Sequence, residues 1–328
     1  MLARILIPDK FLASLVIVVL LATFFPADGA AAIWFGYLTT FAIALLFFLH
    51  GAKLARSTVI AGITHWRLHL CILATTFIIF PILGLFLGAL SPSVLSPEIY
   101  AGFLFLCILP STVQSSIAFT SIGGGNVPAA VCSATASNIL GIFLTPLLAG
   151  LLLKHQGGGI SFDTFEAIMV QLLLPFIAGQ IAQPHLGSFL ARHKKIVGIV
   201  DRGSILLVVF TAFSGAVVSG LWRRTSLEDM VIMCIVASAL LAIVLMITVF
   251  GSRALGFSKA DEIAIVFCGS KKTLASGVPM ATVIFAGQNI GAIILPVMLF
   301  HQIQLMVCVI MARNYGSQAK EMQTDQGY

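Results

Sequence analysis

Leu109-Pro110-Ser111-Thr112-Val113-Gln114-Ser115-Ser116 and Phe267-Cys268-Gly269-Ser270-Lys271-Lys272-Thr273-Leu274 are polar interruptions in the middle of two long apolar runs. The first run ends in Gly123-Gly124-Gly125-Asn126 and the second in Gly287-Gln288-Asn289, and each is followed by another apolar run after almost no loop. Unwinding a helix in hydrocarbon frees N–H and C=O groups, and each costs several kcal/mol if it stays unpaired. Such breaks persist where they line a watery cavity or hold an ion. A plainer reading is two Pro/Gly-kinked helices packed through small residues. Pro110 or Gly277 alone fits that reading. Both interruptions at matching ordinal places favour a site built by discontinuous helices.

Outward from these segments the chain is apolar throughout. Of its 328 residues, 59% are hydrophobic and 9% charged. Soluble domains carry about 25% charged residues, so the composition excludes two ordinary soluble domains. About ten runs have the length and hydropathy of membrane spans. They are Phe11–Phe25, Ala32–Leu49, Leu68–Leu90, Ile99–Ile122 and Val127–Leu153, then Phe162–Ile181, Ile199–Ser219, Met230–Phe250, Ile263–Phe285 and Ile290–Met311. The first lacks a small-x-small cleavage site before Pro26 and is read as a retained helix rather than a signal peptide. Five runs per half is an odd number, so a second copy of the unit must enter the membrane upside down. The expected fold is therefore all-α and integral to the membrane. Residues 1–153 form one five-helix repeat, 154–313 its inverted copy, and 314–328 a polar cytoplasmic tail that is expected to fray. The connection Lys154–Gly159 joins the halves, and Gln183–Gly198 is read as the longest polar connection.

Charge sets the orientation. With the N-terminus inside, Arg4, Lys10, Lys53, Arg56, Arg67, Arg192, Lys194, Lys195, Arg253, Lys259, Arg313 and Lys320 fall on the cytoplasmic side, against Lys154, Arg223 and Arg224 opposite. That asymmetry places both termini in the cytoplasm. The net charge of +6 is then explained by cytoplasmic loops and anionic headgroups, with no nucleic acid required. The six cysteines all lie in apolar stretches, without metal-ligand spacing, and read as small buried hydrophobes.

Lys271 and Lys272 are the sharpest signal. A lysine at a helix centre costs about 2.5–3.5 kcal/mol on insertion scales, and here two are adjacent. Snorkelling to an interface is the competing reading. The apolar residues before and after the pair make it awkward. Adjacent helical residues diverge by about 100°, so one lysine is expected to face a cavity and the other to pair elsewhere. Which one does so stays open. Acidic residues such as Asp163, Asp201 and Asp261 sit near span ends, so the cavity is expected to be net positive and to suit an organic anion. The candidate substrate-binding residues are Thr112, Gln114, Ser115, Ser116, Asn138, Lys271, Lys272 and Thr273. Ser133 and Ser137 share a face of the fifth span beside Asn138. His301, Gln302 and Gln304 are weaker candidates.

The blocks Pro110-Ser111-Thr112-Val113-Gln114-Ser115-Ser116 and Gly125-Asn126-Val127-Pro128-Ala129-Ala130, with Thr145-Pro146-Leu147-Leu148, resemble the bile acid:sodium symporter superfamily, in particular its SBF-like branch. The resemblance covers essentially the whole chain. It implies a panel domain (spans one, two, six and seven) and a core domain in which broken helices four and nine cross, with alternating access by movement of core against panel. It also places ion-site residues at Ser115, Ser116, Ser133, Ser137 and Thr76. Sodium-coupled members supply a glutamate and a Gln-Asn pair from the ninth helix. This chain has Phe267 near the former and Lys271-Lys272 in place of the latter. Hard-cation sites need oxygen ligands, so the expectation is that a lysine replaces at least one sodium ion. Transport is then uncoupled or proton-coupled, Na⁺ and H⁺ being the two candidate coupling ions. No cofactor and no metal are implied.

No H-E-x-x-H, G-x-S-x-G, Walker loop or dinucleotide fingerprint sits on a plausible fold, so the chain is not read as an enzyme. The leading reading is a secondary-active transporter of a small organic, anionic and amphipathic solute. It would be a monomer or weak dimer in a bacterial inner membrane, with lipid and the solute as its partners. The alternative is a non-transporting membrane regulator of calcium homeostasis or of lipid and cell-envelope handling, as an animal member of the branch suggests.

Overall fold

The computed structural model describes residues 10–53, 65–153, 162–218, 220, 226–286 and 288–325. Lys154, Gly159, Arg4, Arg56, Arg223, Arg224 and Gly287, used above for the connections and the orientation, lie outside the described residues. Among the described residues every regular element is a helix. In chain order these are α1 (Lys10–Phe24), α2 (Gly29–Lys53) and α3 (Trp66–Ala74), which continues through a π-helical turn (Thr75–Ile79) into α4 (Phe80–Phe86) and a 3₁₀ turn (Leu87–Leu90). Then come α5 (Pro97–Ile108), α6 (Gln114–Ile122), α7 (Val127–Leu152), α8 (Phe162–Arg192) and α9 (Lys194–Val218). The last four are α10 (Leu227–Ala254), α11 (Lys259–Gly269), α12 (Leu274–Ile284) and α13 (Ile290–Asp325).

Gly29–Lys53, Trp66–Leu90, Val127–Leu152, Lys195–Val218, Leu227–Ala254 and Ile290–Gln318 are each long and apolar enough to cross a bilayer unaided. Their outer faces carry large exposed side chains, including Trp34, Phe41, Ile199 and Phe250. Such a surface is stable against lipid and not against water. The protein is an integral membrane protein. The fourth and ninth apolar runs are both interrupted, between α5 and α6 and between α11 and α12.

Two expectations need correction. Gln183–Gly198 is not a polar loop: α8 runs to Arg192 and α9 starts at Lys194, with His193 as the turn. His193 N–H bonds Phe189 O and Val197 N–H bonds His193 O, so helical pairing passes through the turn. The segment after Asn314 is likewise helical as far as Asp325 rather than frayed. In both stretches polar composition coexists with good helix formers, which a hydropathy reading scores as loop.

Two compact units interleave along the chain. The first is drawn from Met1–Leu54, Glu166–Ser226 and Val278–Ile294. The second is drawn from Ala55–Phe165, Leu227–Gly277 and Leu295–Tyr328. Within the first unit, α2 and α8 touch backbone to backbone. A Cβ on Gly51 would lie 2.1 Å from Phe176 O, and one on Gly179 would lie 2.0 Å from Phe48 O. Small residues at such a crossing let dispersion act between whole helices, which is what drives association where water is absent. The Thr39 and Thr211 hydroxyls share a hydrogen bond of 2.8 Å between α2 and α9, and Lys53 pairs with Asp201.

Within the second unit, capping and a tight turn fix both ends of the fourth run and the start of the fifth. Ser96 caps α5 by accepting from Ile99 N–H (3.4 Å), with Pro97 opening the helix. Gly124 takes φ +72°, and Gly125 N–H returns to Thr120 O (2.8 Å), closing α6 in a turn that a Cβ at Gly124 would strain. Asn126 then caps α7 through Ala129 N–H (3.1 Å) while its amide donates to Asp261 Oδ1 (2.8 Å) at the start of α11. Nearby, the buried Glu262 carboxylate accepts from Arg253 (3.0 and 3.1 Å), Lys259 (2.8 Å) and Tyr315 (3.0 Å), tying α10, α11 and α13 together.

Candidate functional site: two helix breaks facing each other

Pro110 decides the first break. It disfavours helical ψ at Leu109, which is extended (φ −69°, ψ 152°), so α5 stops at Ile108: Leu109 N–H still closes on Leu106 O (3.3 Å), but the Cys107 and Ile108 carbonyls take side-chain donors instead. Ninth-run and neighbouring groups take them up. Lys272 Nζ donates to Cys107 O (2.8 Å) and Leu109 O (2.7 Å), Thr145 Oγ1 donates to Ile108 O (2.9 Å), and Thr273 N–H donates to Pro110 O (2.9 Å). Asn138 Nδ2 donates to Ser111 O (2.7 Å).

The second break is served in return by the first. Ser111 Oγ donates to Cys268 O (2.6 Å) and Ser116 Oγ to Phe267 O (2.9 Å). The peptide of Lys272 is held on both sides by the side chain of Gln304: Lys272 N–H donates to Oε1 (3.0 Å), and Nε2 donates to Lys272 O (2.9 Å). Gln304 Nε2 also reaches His301 Nδ1 (2.8 Å). Backbone satisfaction thus runs in both directions across the two interruptions.

The two lysines diverge, and both ammonium groups are inside the protein: Lys271 is 0% and Lys272 1% exposed. Lys272 Nζ has a third carbonyl partner, Thr76 O (2.8 Å), and lies 4.1 Å from the centre of the Phe80 ring. Three N⁺–H···O bonds at these lengths are of the strong, charge-assisted kind. Lys271 Nζ donates to Ser115 O (3.1 Å) and sits 3.5 Å from the Phe119 ring centre and 5.5 Å from that of Phe267. Aromatic faces stabilise a cation, more so when it is desolvated. No carboxylate is needed to explain how either charge is held.

The sequence-derived candidates converge on this place. Thr112 Oγ1 shares hydrogen bonds with Ser115 Oγ (2.7 Å) and Ser116 Oγ (2.9 Å). Ser116 and Thr273 are buried, Ser115 and Asn138 partly so, and Gln114 opens α6 with its side chain exposed. Of the residues the resemblance marked as ion ligands, Ser137 Oγ accepts from Ser111 N–H (3.0 Å), Ser133 Oγ bonds His69 Nδ1 (2.6 Å), and Thr76 Oγ1 donates to Ile72 O (2.8 Å). Their hydroxyls are engaged within the protein.

Sequence reading missed two contributors, His69 and Pro81, and ranked a third too low. His69 partners Ser133, and the signal was a histidine inside an apolar run. Gln304, ranked as a weak candidate, clamps the Lys272 peptide. Pro81 acts through what it lacks. Phe80 N–H goes to Thr75 O across the π-helical turn, and the next residue, Pro81, has no N–H. Thr76 O is therefore left for Lys272.

This arrangement of broken, mutually bonded helices with buried charge in an all-helical membrane protein is that of a transport protein. The chain belongs to the SBF-like CPA transporter family, which residues 9–317 match, within the bile acid:sodium symporter superfamily that the sequence resembled. It is 54% identical over 318 residues to the Escherichia coli protein named "Putative symporter YfeH", covering 97% of this chain and 96% of that one. It is 56% identical over 312 residues to protein PA2026 of Pseudomonas aeruginosa (94% and 93%). Sodium/bile acid cotransporter 7 of Rattus norvegicus is 29% identical over 269 residues (81% and 79%). Membership in a transporter family agrees with the absence of enzyme motifs from the sequence.

Proposed function

We propose that the protein is a secondary-active carrier of a small organic anion, working by alternating access without strict sodium coupling. The observation that carries the reading is the meeting of the two interrupted helices around Lys271 and Lys272. Helix breaks and buried charge are costly in a membrane, and here they coincide. Their cost is understandable where a segment must exchange partners during a transport cycle.

In this reading the ten apolar runs form two inverted five-helix repeats, 1–153 and 154–313. Spans one, two, six and seven act as the panel and the remaining spans as the core, and movement of core against panel gives alternating access. Both termini are cytoplasmic in a bacterial inner membrane, and the working form is a monomer or weak dimer. The names of relatives support symport and an amphipathic anion of bile-acid type. The lysines support a different coupling scheme, in which fixed ammonium groups take the place of at least one mobile cation and transport is uncoupled or proton-driven. Thr112, Gln114, Ser115, Ser116, Asn138 and Thr273, around the starts of α6 and α12, are the proposed substrate contacts. Half-helix N-termini favour negative charge there.

Reconstitution tests the reading. Proteoliposomes preloaded with an unlabelled bile acid or short organic acid should accumulate labelled solute by counterflow, with saturation. Flux that never saturates and shows no counterflow across a panel of such anions contradicts a carrier.

A further inference from the structure

We infer that the Lys272 ammonium is a tethered monovalent cation in a backbone carbonyl cage, and that removing it converts the cage into a binding site for a free monovalent cation. The inference rests on the transporter reading only for its flux consequence.

Three oxygens form the cage, Thr76 O, Cys107 O and Leu109 O, at 2.7–2.8 Å from Nζ. The Phe80 ring forms a further wall 4.1 Å away. Each oxygen is freed by something other than the lysine. Thr76 O is released by the π-helical turn and by Pro81. Leu109 O is released by the extended residue before Pro110. Cys107 O is released because Ser111 N–H, its helical partner, donates to Ser137 Oγ instead. The acceptors are thus laid out by prolines, a helix end and a serine hydroxyl, and they persist as a group when the side chain at 272 changes. Carbonyl oxygens beside an aromatic face suit a monovalent cation, the oxygens by their partial negative charge and the ring by its quadrupole.

The two lysines consequently differ in kind. Lys272 has its three N–H bonds committed to carbonyls and its peptide clamped by Gln304. Lys271 holds one carbonyl and two aromatic faces. The cage belongs to Lys272 alone.

The test is thermal unfolding of purified wild type and Lys272→Ala in chloride salts of choline, sodium, potassium, ammonium and methylammonium at one ionic strength. The wild-type midpoint is expected to be the same in all five. Lys272→Ala is expected to melt several degrees lower in choline and to recover, saturably, with sodium, potassium or ammonium ions. If Lys272→Ala cannot be purified in choline, the same salts are kept present from extraction onward. Recovery of folded, monodisperse protein only with a small cation then supports the cage. Equal behaviour of the variant in all salts overturns it, as does a saturable sodium-dependent rise in the wild type. Counterflow assays on the same samples separate the two readings. A cage that responds to cations in a protein without saturable flux leaves the inference standing and removes the carrier. Normal flux without cation recovery does the reverse.

Discussion

Lys272 Nζ lies 2.7 Å from the carbonyl oxygen of Leu109, a side chain of the ninth apolar run closing the end of the helix that Pro110 breaks in the fourth. The relation joins two residues 163 apart in sequence. A helix C-terminus carries partial negative charge on carbonyls without partners, and a lysine supplies both charge and donors.

Replacing Lys272 by Met keeps much of the volume and removes the donors. It leaves three buried carbonyls, each worth about 1–3 kcal/mol if unpaired. A loss of about 3–5 kcal/mol in unfolding free energy is expected after partial relaxation. Denaturant unfolding in mixed micelles measures it, and a loss below about 1 kcal/mol would show that the carbonyls find other partners.

Gln304→Leu should destabilise through the backbone of Lys272 rather than through its ammonium. Lys272 N–H loses its partner and Lys272 O keeps only the long contact to His301 Nδ1 (3.4 Å), for about 2–4 kcal/mol. Gln304→Glu, as the neutral carboxylic acid, keeps a carbonyl acceptor for Lys272 N–H and an O–H donor for Lys272 O, so at low pH it is expected to recover part of that loss. Equal losses for both variants would mean that the clamp does not act as two separate hydrogen bonds.

At the crossing of α2 and α8, Gly51→Ala places a methyl 2.1 Å from Phe176 O. Separation of the helices should cost about 1–3 kcal/mol. Gly36→Ala on the same helix meets nothing within 4 Å and is expected to be neutral or to gain about 0.5–1 kcal/mol from helix propensity. Melting of the two variants side by side checks the contrast, and a Gly51→Ala protein as stable as wild type would remove the close crossing.

Glu262→Gln retains the shape of the buried group and removes its charge. Three donors face that carboxylate, from Arg253, Lys259 and Tyr315. A cost of about 1–3 kcal/mol is expected, with α11 loosened where it meets α13. Faster amide exchange in residues 259–266, read by mass spectrometry against wild type, would report it. Unchanged exchange there would show that the cluster is a surface feature without structural weight.

Much of this was legible from residue order. Apolar run length gave the helices because a bilayer fixes their minimum length, and Pro110 and the Gly-Ser-Lys-Lys segment located both breaks. What hydropathy could not supply was partner identity. One of the two lysines was expected to face a cavity and the other to pair elsewhere, with no partner named; for Lys272 carbonyls suffice, because helices end beside it. The resemblance marked Thr76 as an ion-site position; its carbonyl accepts from Lys272, released by a π-helical turn that no local composition announces. The polar stretches around His193 and after Asn314 read as loop because hydropathy measures solvent preference and not backbone conformation.

Sodium titration of transport tests the central claim most directly. Proteoliposomes holding the wild-type protein are assayed for counterflow of an organic anion while sodium replaces choline at constant ionic strength and pH. With ammonium groups fixed at the helix breaks, the rate should stay flat across the titration. A rate that is zero without sodium and rises to saturation with it would contradict the account.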